Sequence, residues 1–441
     1  MFPNHGSALS SSQGESDRAR QKSLQSSLLV PVLVAFALRL AVIAFLYPEQ
    51  LDPSRDHWHF GYETGRIARS IVLGKGFSSP LFGETGPTAW MTPAYPYLVA
   101  AVFKTFGIYT RASALFLLGL NGLVSALTCI PVFFIARRGF GESVARRSAW
   151  VWALFPYGIY FPAERIWETW IATFLFTLLF LWGLYIEDST RLRDWGGWGL
   201  RWAIAALVSP AVLGVLPFWG LWILYRRRQK GLKSIAQVAV ASVLFITVVS
   251  PWFVRNYTVF HRFVPFRDNM GIVLLMGTRG TTDYWGPYEL GPWHNEKDWQ
   301  EFQVLGEFRY MEAKKRHSID FIRANPGWFA WTSVRRAVFL WTGYWSFDKA
   351  YLQQEPLDPP NILFSTTFTV LTLLGLRKAF RVGSAIAMPY LIVLFTFPLI
   401  YYITSPEVYY RRPIDPIMVI LAVYAVSGWK KGRVKAEPAV F

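Results

Sequence analysis

The feature that most constrains this chain is a run of about 20 apolar residues from Leu28 to Tyr47, interrupted only by Arg39. A helix of that length crosses the roughly 30 Å hydrocarbon core of a bilayer. Further apolar segments follow along the chain, and every second connection between them carries Arg or Lys, as at Arg137 and Arg138. Because backbone polar groups in lipid must be bonded within the protein, this pattern predicts an all-α polytopic membrane protein.

The basic connections also predict which side of the membrane each segment faces, because cytoplasmic loops carry an excess of Lys and Arg. They place both termini in the cytoplasm and predict about ten crossings. Residues 1–27 are expected to form a disordered cytoplasmic tail, 28–428 the membrane domain, and 429–441 a second cytoplasmic tail. The loops 48–92 and 255–345 are expected on the outer side, each with an amphipathic surface helix.

One apolar segment, Leu200 to Tyr225, has cytoplasmic-type loops on both sides. It must therefore enter and leave the membrane on the same side. Ser209 and Pro210 interrupt it midway, and proline removes a helical hydrogen bond. The sequence predicts two short helices that meet at this break, covered by neighbouring helices.

Charge and composition exclude several other classes of protein. The chain has 441 residues, a net charge of +17 and 53% hydrophobic residues. Because the basic residues cluster in the cytoplasmic connections, the charge indicates contact with anionic lipid headgroups and no nucleic acid. The one cysteine, Cys129, excludes an intramolecular disulfide and a cysteine-based metal cluster. No phosphate-binding loop, zinc-helix motif or dinucleotide fingerprint occurs in its required context.

The first outer loop contains the clearest surface helix. Phe60 and Ile67 recur at helical spacing, Glu63 and Arg66 lie on the opposite face, and Gly74 follows as a stop signal. Such a helix at the mouth of a membrane bundle fits a reaction site. An ordinary structured loop is the alternative.

Acidic residues at the outer ends of helices are the candidates for catalysis. They are Asp56 and Glu63 in the first outer loop, and Glu168 in the second, short one. Ionisable groups at membrane depth are costly and are often functional. The alternative for Glu168 is an ion pair with Arg165, three residues earlier.

At this point the chain resembles the lipid-linked-sugar glycosyltransferases of the GT-C fold, which include protein O-mannosyltransferases, lipid A aminoarabinose transferases and many bacterial family 39 members. The stretches that carry the resemblance, between residues 28 and 428, are RIARSIVLGKGFS with TPAYPYLVAAVFKTFG, then FPYGIYFPAERIWETW, SPWFVRNYTVFHRFVPFRDNMG and YYRRPIDPIMVILA. The resemblance implies a GT-C-type bundle in a plasma membrane, with the active site facing outside.

The resemblance also implies two acidic residues on the outer side. One lies at the start of the first outer loop, as a base or metal ligand, and the other at the start of the fourth crossing, where Glu168 matches. The first position falls near Phe60 and Gly61, where this chain has no carboxylate, so Asp56 or Glu63 must substitute. We predict Asp56 as the better base, because a local ion pair with Arg66 would occupy Glu63.

Transfer from a polyprenyl-phosphate sugar needs a base for the acceptor hydroxyl and a cation for the leaving phosphate. Arginine suits the second task because its planar fork binds phosphate and stays charged. Contact with headgroups or with a local carboxylate is the alternative for each arginine. His57 and His59 could act as a base or as ligands of a divalent cation. The sequence allows such a cation but does not require it. The substrate-binding candidates are His57, His59, Arg66, Arg165, Arg255, Asn256, Arg267, Asn269, Arg411 and Arg412.

The sequence thus predicts a membrane glycosyltransferase that uses a polyprenyl-phosphate sugar and a lipid, glycan or protein acceptor. The first alternative is a transporter or flippase of a lipid-linked or hydrophobic substrate. Such proteins usually contain repeated halves and several broken helices, and only one break is evident here. A non-catalytic membrane scaffold is the second alternative.

Overall fold

The computed structural model describes residues 28–45, 60–279, 291–293, 295–345, 347, 358–404 and 408–428. Of the predicted site residues, Asp56, His57 and His59 lie outside these ranges, as do both predicted tails. Within the described ranges the chain is helical and forms no β-strand, only an isolated bridge between Ser78 and Pro87. The predicted all-α class is confirmed.

Many of the helices are joined by connections of a few residues, while residues 73–93 form a longer connection. In chain order they are α1 Leu28–Phe45, α2 Glu63–Val72, α3 Ala94–Phe106, α4 Arg111–Leu127, α5 Cys129–Phe140, α6 Glu142–Ala153, α7 Pro156–Glu164, α8 Thr169–Ile186, α9 Leu192–Val208, α10 Leu216–Gln229, α11 Ile235–Phe260, α12 Met270–Arg279, α13 Glu296–Ala324, α14 Pro326–Thr342, α15 Asp358–Val382, α16 Ser384–Thr396, α17 Leu399–Ile403 and α18 Asp415–Val426. Two 3₁₀ segments, Pro210–Gly214 and Val408–Ile414, lie between them.

Six helical stretches of the described residues are long and apolar enough to cross a membrane. They are Leu28–Phe45, Arg111–Phe140, Thr169–Ile186, Ile235–Phe260, Pro360–Val382 and Ser384–Ile403. The remaining apolar helices are shorter or broken, so the total of about ten crossings stays a prediction.

The predicted break at Ser209 is confirmed. Helix α9 ends at Val208, a 3₁₀ turn covers Pro210–Gly214, and α10 begins at Leu216. The hydroxyl of Thr92 donates a hydrogen bond of 2.9 Å to the carbonyl of Val208. The carbonyl of Val208, which the break leaves without its helical partner, is thus bonded by the segment that precedes α3.

A second break divides the apolar segment from Ala149 to Phe161. Helix α6 ends at Ala153 and α7 begins at Pro156, with Phe155 extended at φ −68° and ψ 118°. Proline disfavours the helical conformation of the residue before it, which explains the break.

Arg39, in the middle of α1, binds the carbonyls that this second break leaves free. Its side chain is fully buried. One terminal nitrogen donates to the carbonyl of Ala153 at 3.1 Å, and Nε donates to the hydroxyl of Ser125 at 3.0 Å. That hydroxyl donates in turn to the carbonyl of Gly158, on α7, at 2.9 Å. Arg39 and Ser125 therefore hold the break and the start of α7 together.

Connections predicted to share the cytoplasmic side meet at one end of the bundle. Arg138 lies 3.3 Å from Asp188, and Lys230 lies 2.9 Å from Glu187. Arg227 donates to the carbonyl of Ser189 at 2.6 Å. The charge pattern predicted this grouping, which brings together the loops after α5, α8 and α10.

Helix α13 lies in the second predicted outer loop, where a surface helix was expected, and it folds back on itself. Gly306 has a non-helical φ of 70°, and the amine of Lys314 lies 2.5 Å from Asp298 and 2.7 Å from Glu301. In a straight helix, Lys314 and Asp298 would stand about 24 Å apart along the axis. The segment is therefore a helical hairpin closed by an ion triad.

Candidate functional site

Helix α2 forms where the apolar spacing predicts it. It runs over Glu63–Val72 with Ile67 and Ala68 fully buried and Arg69 exposed. Gly74 follows with φ of 77°, the left-handed conformation that commonly ends a helix. The prediction of an amphipathic helix in this segment is confirmed.

The start of this segment packs directly against the connection between α7 and α8. Gly61 has φ of +71°, and a Cβ atom placed there would lie 2.5 Å from the carbonyl oxygen of Ile166. A side chain at this position would therefore collide with backbone. The close approach places the start of α2 against the connection that leads to Glu168.

Glu168 is the residue immediately before α8. It is only 8% exposed, and its Oε2 has no hydrogen-bond partner among the described residues. Burial raises its pKa to about 7, with the charge of Arg267 acting in the opposite direction. The alternative ion pair with Arg165 is not formed, because Arg165 donates to Glu164 at 2.6 Å instead.

Glu63 is the second carboxylate of the site. Its pKa is raised to about 7, mainly by burial and further by the charge of Glu168, while Arg66 and Arg267 lower it. The predicted ion pair between Glu63 and Arg66 is not formed. Instead, the Arg66 guanidinium lies 4.7 Å from the ring centre of Tyr62 and is also stacked on Phe82. The negative charge of Glu168 thus helps Glu63 to keep a proton near neutral pH.

Arg267 is the cation that acts on both carboxylates. It lies in the connection between α11 and α12, and its charge lowers the pKa of Glu63 and of Glu168. It makes no hydrogen bond or ion pair with another described residue. Asn269, two residues later, also has a side chain without a described partner. These two groups remain available to a ligand.

Arg255 and Asn256 are engaged with the protein itself. Both lie on α11, which continues to Phe260. Arg255 donates to the carbonyls of Thr88 at 2.7 Å and Phe77 at 2.9 Å, and to the Asn256 amide oxygen at 2.9 Å. Asn256 is fully buried and donates to a backbone carbonyl. Arg255 therefore fixes the segment between α2 and α3 against α11, and Asn256 fixes the connection that follows α11.

Arg411 and Arg412 are also engaged. Both are buried and share Asp415, at 3.0 Å and 2.6 Å. Arg411 donates further to the carbonyl of Leu340 at 2.8 Å, and Arg412 lies 3.7 Å from the ring centre of Tyr157. These contacts join the 3₁₀ segment before α18 to α7 and α14. A role in substrate binding for either arginine stays a prediction.

Three residues that the sequence did not indicate belong to this region. Glu307 is buried and accepts hydrogen bonds from the hydroxyl of Thr88 at 2.5 Å and the amide of Ala89 at 2.8 Å. Tyr95 and Tyr409 are buried near Glu168. No periodicity distinguishes a functional tyrosine from the 21 in the chain. Glu307 carries one signal, since it directly follows the glycine at which α13 turns.

Within the described ranges, no group of three or more His, Cys, Asp or Glu residues comes together in a way that could hold a metal ion. Glu63 and Glu168 supply two carboxylates, and divalent cations of the Mg²⁺ type are often held by one or two carboxylates together with substrate phosphates. The use of a divalent cation stays a prediction.

No family model matches the chain, and no curated protein matches it in sequence. Solved structures similar to it include an Archaeoglobus fulgidus oligosaccharyltransferase in complex with Zn and sulfate, at a TM-score of 0.49 and 13% identity over 90% of this chain and 48% of that one. The oligosaccharyltransferase AglB from the same organism, in complex with an inhibitory peptide and a dolichol-phosphate, gives a TM-score of 0.49 and 14% identity over 91% and 50%. ArnT from Cupriavidus metallidurans, bound to undecaprenyl phosphate, gives a TM-score of 0.39 and 15% identity over 90% of this chain and 77% of that one.

The chain therefore spans about half the length of the archaeal enzymes that it matches. At these identities and TM-scores the likeness concerns the overall helical fold. It assigns no role to an individual residue.

Proposed function

We propose that this protein is a membrane glycosyltransferase that moves a sugar from a polyprenyl-phosphate donor to an acceptor hydroxyl at the outer face of the plasma membrane. The acceptor is a lipid, a glycan or a protein. The observation that supports this most is the arrangement of a partly buried carboxylate, Glu63, and a buried one, Glu168, around the available cation Arg267. That arrangement contains the groups that such a transfer requires.

Glu168 is the described group best suited to act as the base. Its pKa of about 7 lies near the pH at which the protein must work, and a base is most effective there. Its Oε2 is buried and has no described partner, so a hydroxyl group can bind to it. Asp56, predicted from the sequence as the base of the first outer loop, stays a candidate beside it.

Arg267 is the group best suited to the leaving phosphate. As the sugar is transferred, negative charge develops on the lipid phosphate, and a fixed cation stabilises that charge most effectively where water is scarce. Arg255, Arg411 and Arg412 are already bonded to carbonyls or to Asp415. Asn269 lies two residues from Arg267 and can donate an amide hydrogen bond to phosphate or sugar.

Glu63 then completes the site as a second carboxylate. Because the charge of Glu168 raises the pKa of Glu63, Glu63 can hold a proton while Glu168 is ionised. A protonated Glu63 can donate a hydrogen bond to a sugar hydroxyl. We assign it this orienting role.

The direct test uses the purified protein with a set of polyprenyl-phosphate sugars, and measures release of polyprenyl phosphate in the presence of acceptor. Release should occur with wild type and be lost in Glu168→Gln, which keeps the shape and removes the basicity. Glu164→Gln is the matched control, because Glu164 lies four residues away and is paired with Arg165. It should stay active.

Failure of wild type to release polyprenyl phosphate from any donor would refute the proposal. Movement of a labelled lipid-linked sugar across proteoliposomes without its hydrolysis would instead favour the flippase alternative, to which the broken pair α9 and α10 would then belong.

A further inference from the structure

The described residues enclose a cavity between α12 and the α13 hairpin. Its volume of about 400 Å³ lies within the range of small-molecule sites. The residues that line it are Leu275 on α12 and, on the two arms of the hairpin, Asp298, Glu301, Ala313, Lys314 and His317. Neither Glu168 nor Arg267 is among the lining residues that the structure describes, so the cavity is separate from the site proposed for transfer.

The polar part of the lining is the ion triad that closes the hairpin. The amine of Lys314 lies 2.5 Å from Asp298 Oδ1 and 2.7 Å from Glu301 Oε2. Asp298 Oδ2 accepts a hydrogen bond of 3.0 Å from the amide of Gly291. Glu301 is the most exposed of the three, at 38%, and its Oε1 has no hydrogen-bond partner among the described residues. The triad of two carboxylates and one ammonium therefore carries a net negative charge and retains an accessible acceptor.

A row of aromatic rings connects this cavity to the start of α2. Trp299 directly follows Asp298, and its ring lies 6.2 Å from that of Phe82 at an angle of 84°. The ring of Phe82 lies 6.0 Å from that of Tyr62 at 87°, and Tyr62 directly precedes Glu63. Phe82 is 41% exposed. This aromatic row of Tyr62, Phe82 and Trp299 therefore joins the cavity to a carboxylate of the site proposed for transfer.

The lining restricts the chemistry of a ligand. A phosphate or carboxylate would meet Asp298 and Glu301, and like charges repel each other. A metal ion is not favoured, because no group of three or more His, Cys, Asp or Glu residues in the described ranges could hold one, and Lys314 lies between the two carboxylates. A sugar fits, since its hydroxyls donate to carboxylate oxygens and its C–H faces pack on aromatic rings.

We propose that this cavity binds a sugar unit of the acceptor, and that the acceptor continues along the aromatic row toward Glu63. The inference rests on the proposed function, and it selects a glycan among the three classes of acceptor. The cavity itself takes no part in bond making. It holds the acceptor at a distance from the reacting carbon and thereby sets which acceptors the protein uses.

Calorimetric titration of the full purified chain with the uncharged trisaccharides maltotriose, mannotriose and chitotriose tests the proposal without transfer. Wild type should bind at least one of them. Ala313→Phe should lower that affinity about 10-fold or more, because the new ring and the ligand compete for the same space. Ala324→Phe is the matched control, since Ala324 is the exposed last residue of α13 and lies outside the cavity. It should bind as wild type does.

Glu301→Gln tests the charge of the site, because it keeps the shape and removes the stronger acceptor. It should lower the affinity about 10-fold, the loss of one hydrogen bond to a charged group. Glu296→Gln is its control, since Glu296 is exposed on the same helix, bonds to Gln300 and does not line the cavity. Equal affinity in Glu301→Gln and Glu296→Gln would contradict the assignment of this carboxylate.

The outcomes separate this proposal from the proposed function. Absence of binding by all three trisaccharides, or equal binding by wild type and Ala313→Phe, overturns the sugar site even where transfer is intact. In an active protein, Ala313→Phe should raise KM for the acceptor and leave KM for the donor unchanged, and an unchanged KM for the acceptor also overturns the site. Trisaccharide binding that Ala313→Phe abolishes, without transfer by wild type, refutes the proposed function and retains the sugar site.

Discussion

At the scale of single residues, the protonation of Glu168 sets an expected pH dependence of activity. A base acts only when it is ionised, and the pKa of Glu168 is about 7. The rate of transfer should therefore rise as pH increases through about 7 and level off above it. Rates measured from pH 5 to 9 with saturating donor would show this limb, while a flat profile would exclude Glu168 as the base.

A second prediction concerns Arg267 and Arg255, which the sequence alone assigns to the same role in substrate binding. Arg267→Ala should lower turnover on the order of 10²-fold and leave the melting temperature nearly unchanged, because Arg267 has no described partner. Arg255→Ala should mainly destabilise the protein, by about 1–3 kcal/mol, since it leaves two buried carbonyls unbonded. Paired measurements of turnover and melting temperature test both.

Arg267→Lys should restore only part of the lost turnover, because lysine lacks the planar fork. If Arg267→Ala keeps full turnover, the phosphate is bound elsewhere.

The sequence indicated arginines on the outer side of the membrane but did not indicate which of them bind the protein itself. Arg255, Arg411 and Arg412 lie outside the basic connections, and from the sequence alone phosphate binding was a natural interpretation. The structure shows their donors on carbonyls and on Asp415. The acceptor of Arg255 at Thr88 lies 167 positions away, and no local pattern records such a contact. Asp415 is close in sequence to Arg411 and Arg412, but this spacing alone does not show that the three side chains are buried together.

At the scale of elements, Gly61 controls how α2 meets the connection before α8. Gly61→Ala should destabilise the protein by well over the roughly 1 kcal/mol that a positive φ costs alanine, because the new Cβ would also meet the carbonyl of Ile166. Gly83→Ala is the matched control, with φ of +71° and no atom within 4 Å of the added Cβ. Melting temperatures of the two variants in the same detergent would be compared, and equal losses would contradict the close contact.

Glu307 joins the α13 hairpin to residues 73–93, the segment between α2 and α3. The stability that this contact contributes should depend on pH. Burial raises the pKa of Glu307 from its ordinary value of 4.5 to about 8, against the opposing effect of the hydrogen bonds from Thr88 and Ala89. A raised pKa means that the folded protein retains the proton more firmly than the unfolded chain. The associated stability is complete below pH 4.5 and is lost as pH rises through about 8.

We therefore expect a lower melting temperature at pH 9 than at pH 6, and a smaller difference in Glu307→Gln, which stays neutral throughout. Glu312→Gln, on the same helix, is the control and should behave as wild type. An equal pH effect in wild type and Glu307→Gln would exclude Glu307 as its source.

Helix boundaries were predictable where periodicity and stop signals agree, as in α2 and at the break before Pro210. They were not predictable where a tertiary contact decides. The return of α13 at Gly306 depends on Lys314 reaching Asp298 and Glu301, and this charge pattern is also normal for a straight surface helix.

At the scale of the whole molecule, the arrangement of loops predicts which residues share a side of the membrane. In a Cys129→Ser background, a single cysteine at Glu84 or at Gln229 tests this, since both side chains are exposed. A membrane-impermeant thiol reagent added to intact cells should label Glu84→Cys and spare Gln229→Cys until the cells are opened. Labelling of Gln229→Cys from outside would overturn the topology.

The burial of Arg39 has a consequence for the order of synthesis. Its partner Ser125 lies 86 residues later in the chain, and at ribosomal rates of about 5–20 residues per second that separation takes on the order of ten seconds to translate. During this interval α1 is a membrane helix with an arginine near its centre, which insertion scales place at a cost of about 2.5–3.5 kcal/mol. The partners of Arg39 lie on or beside α4, α6 and α7, so α1 is made well before the contacts that hold it in place can form.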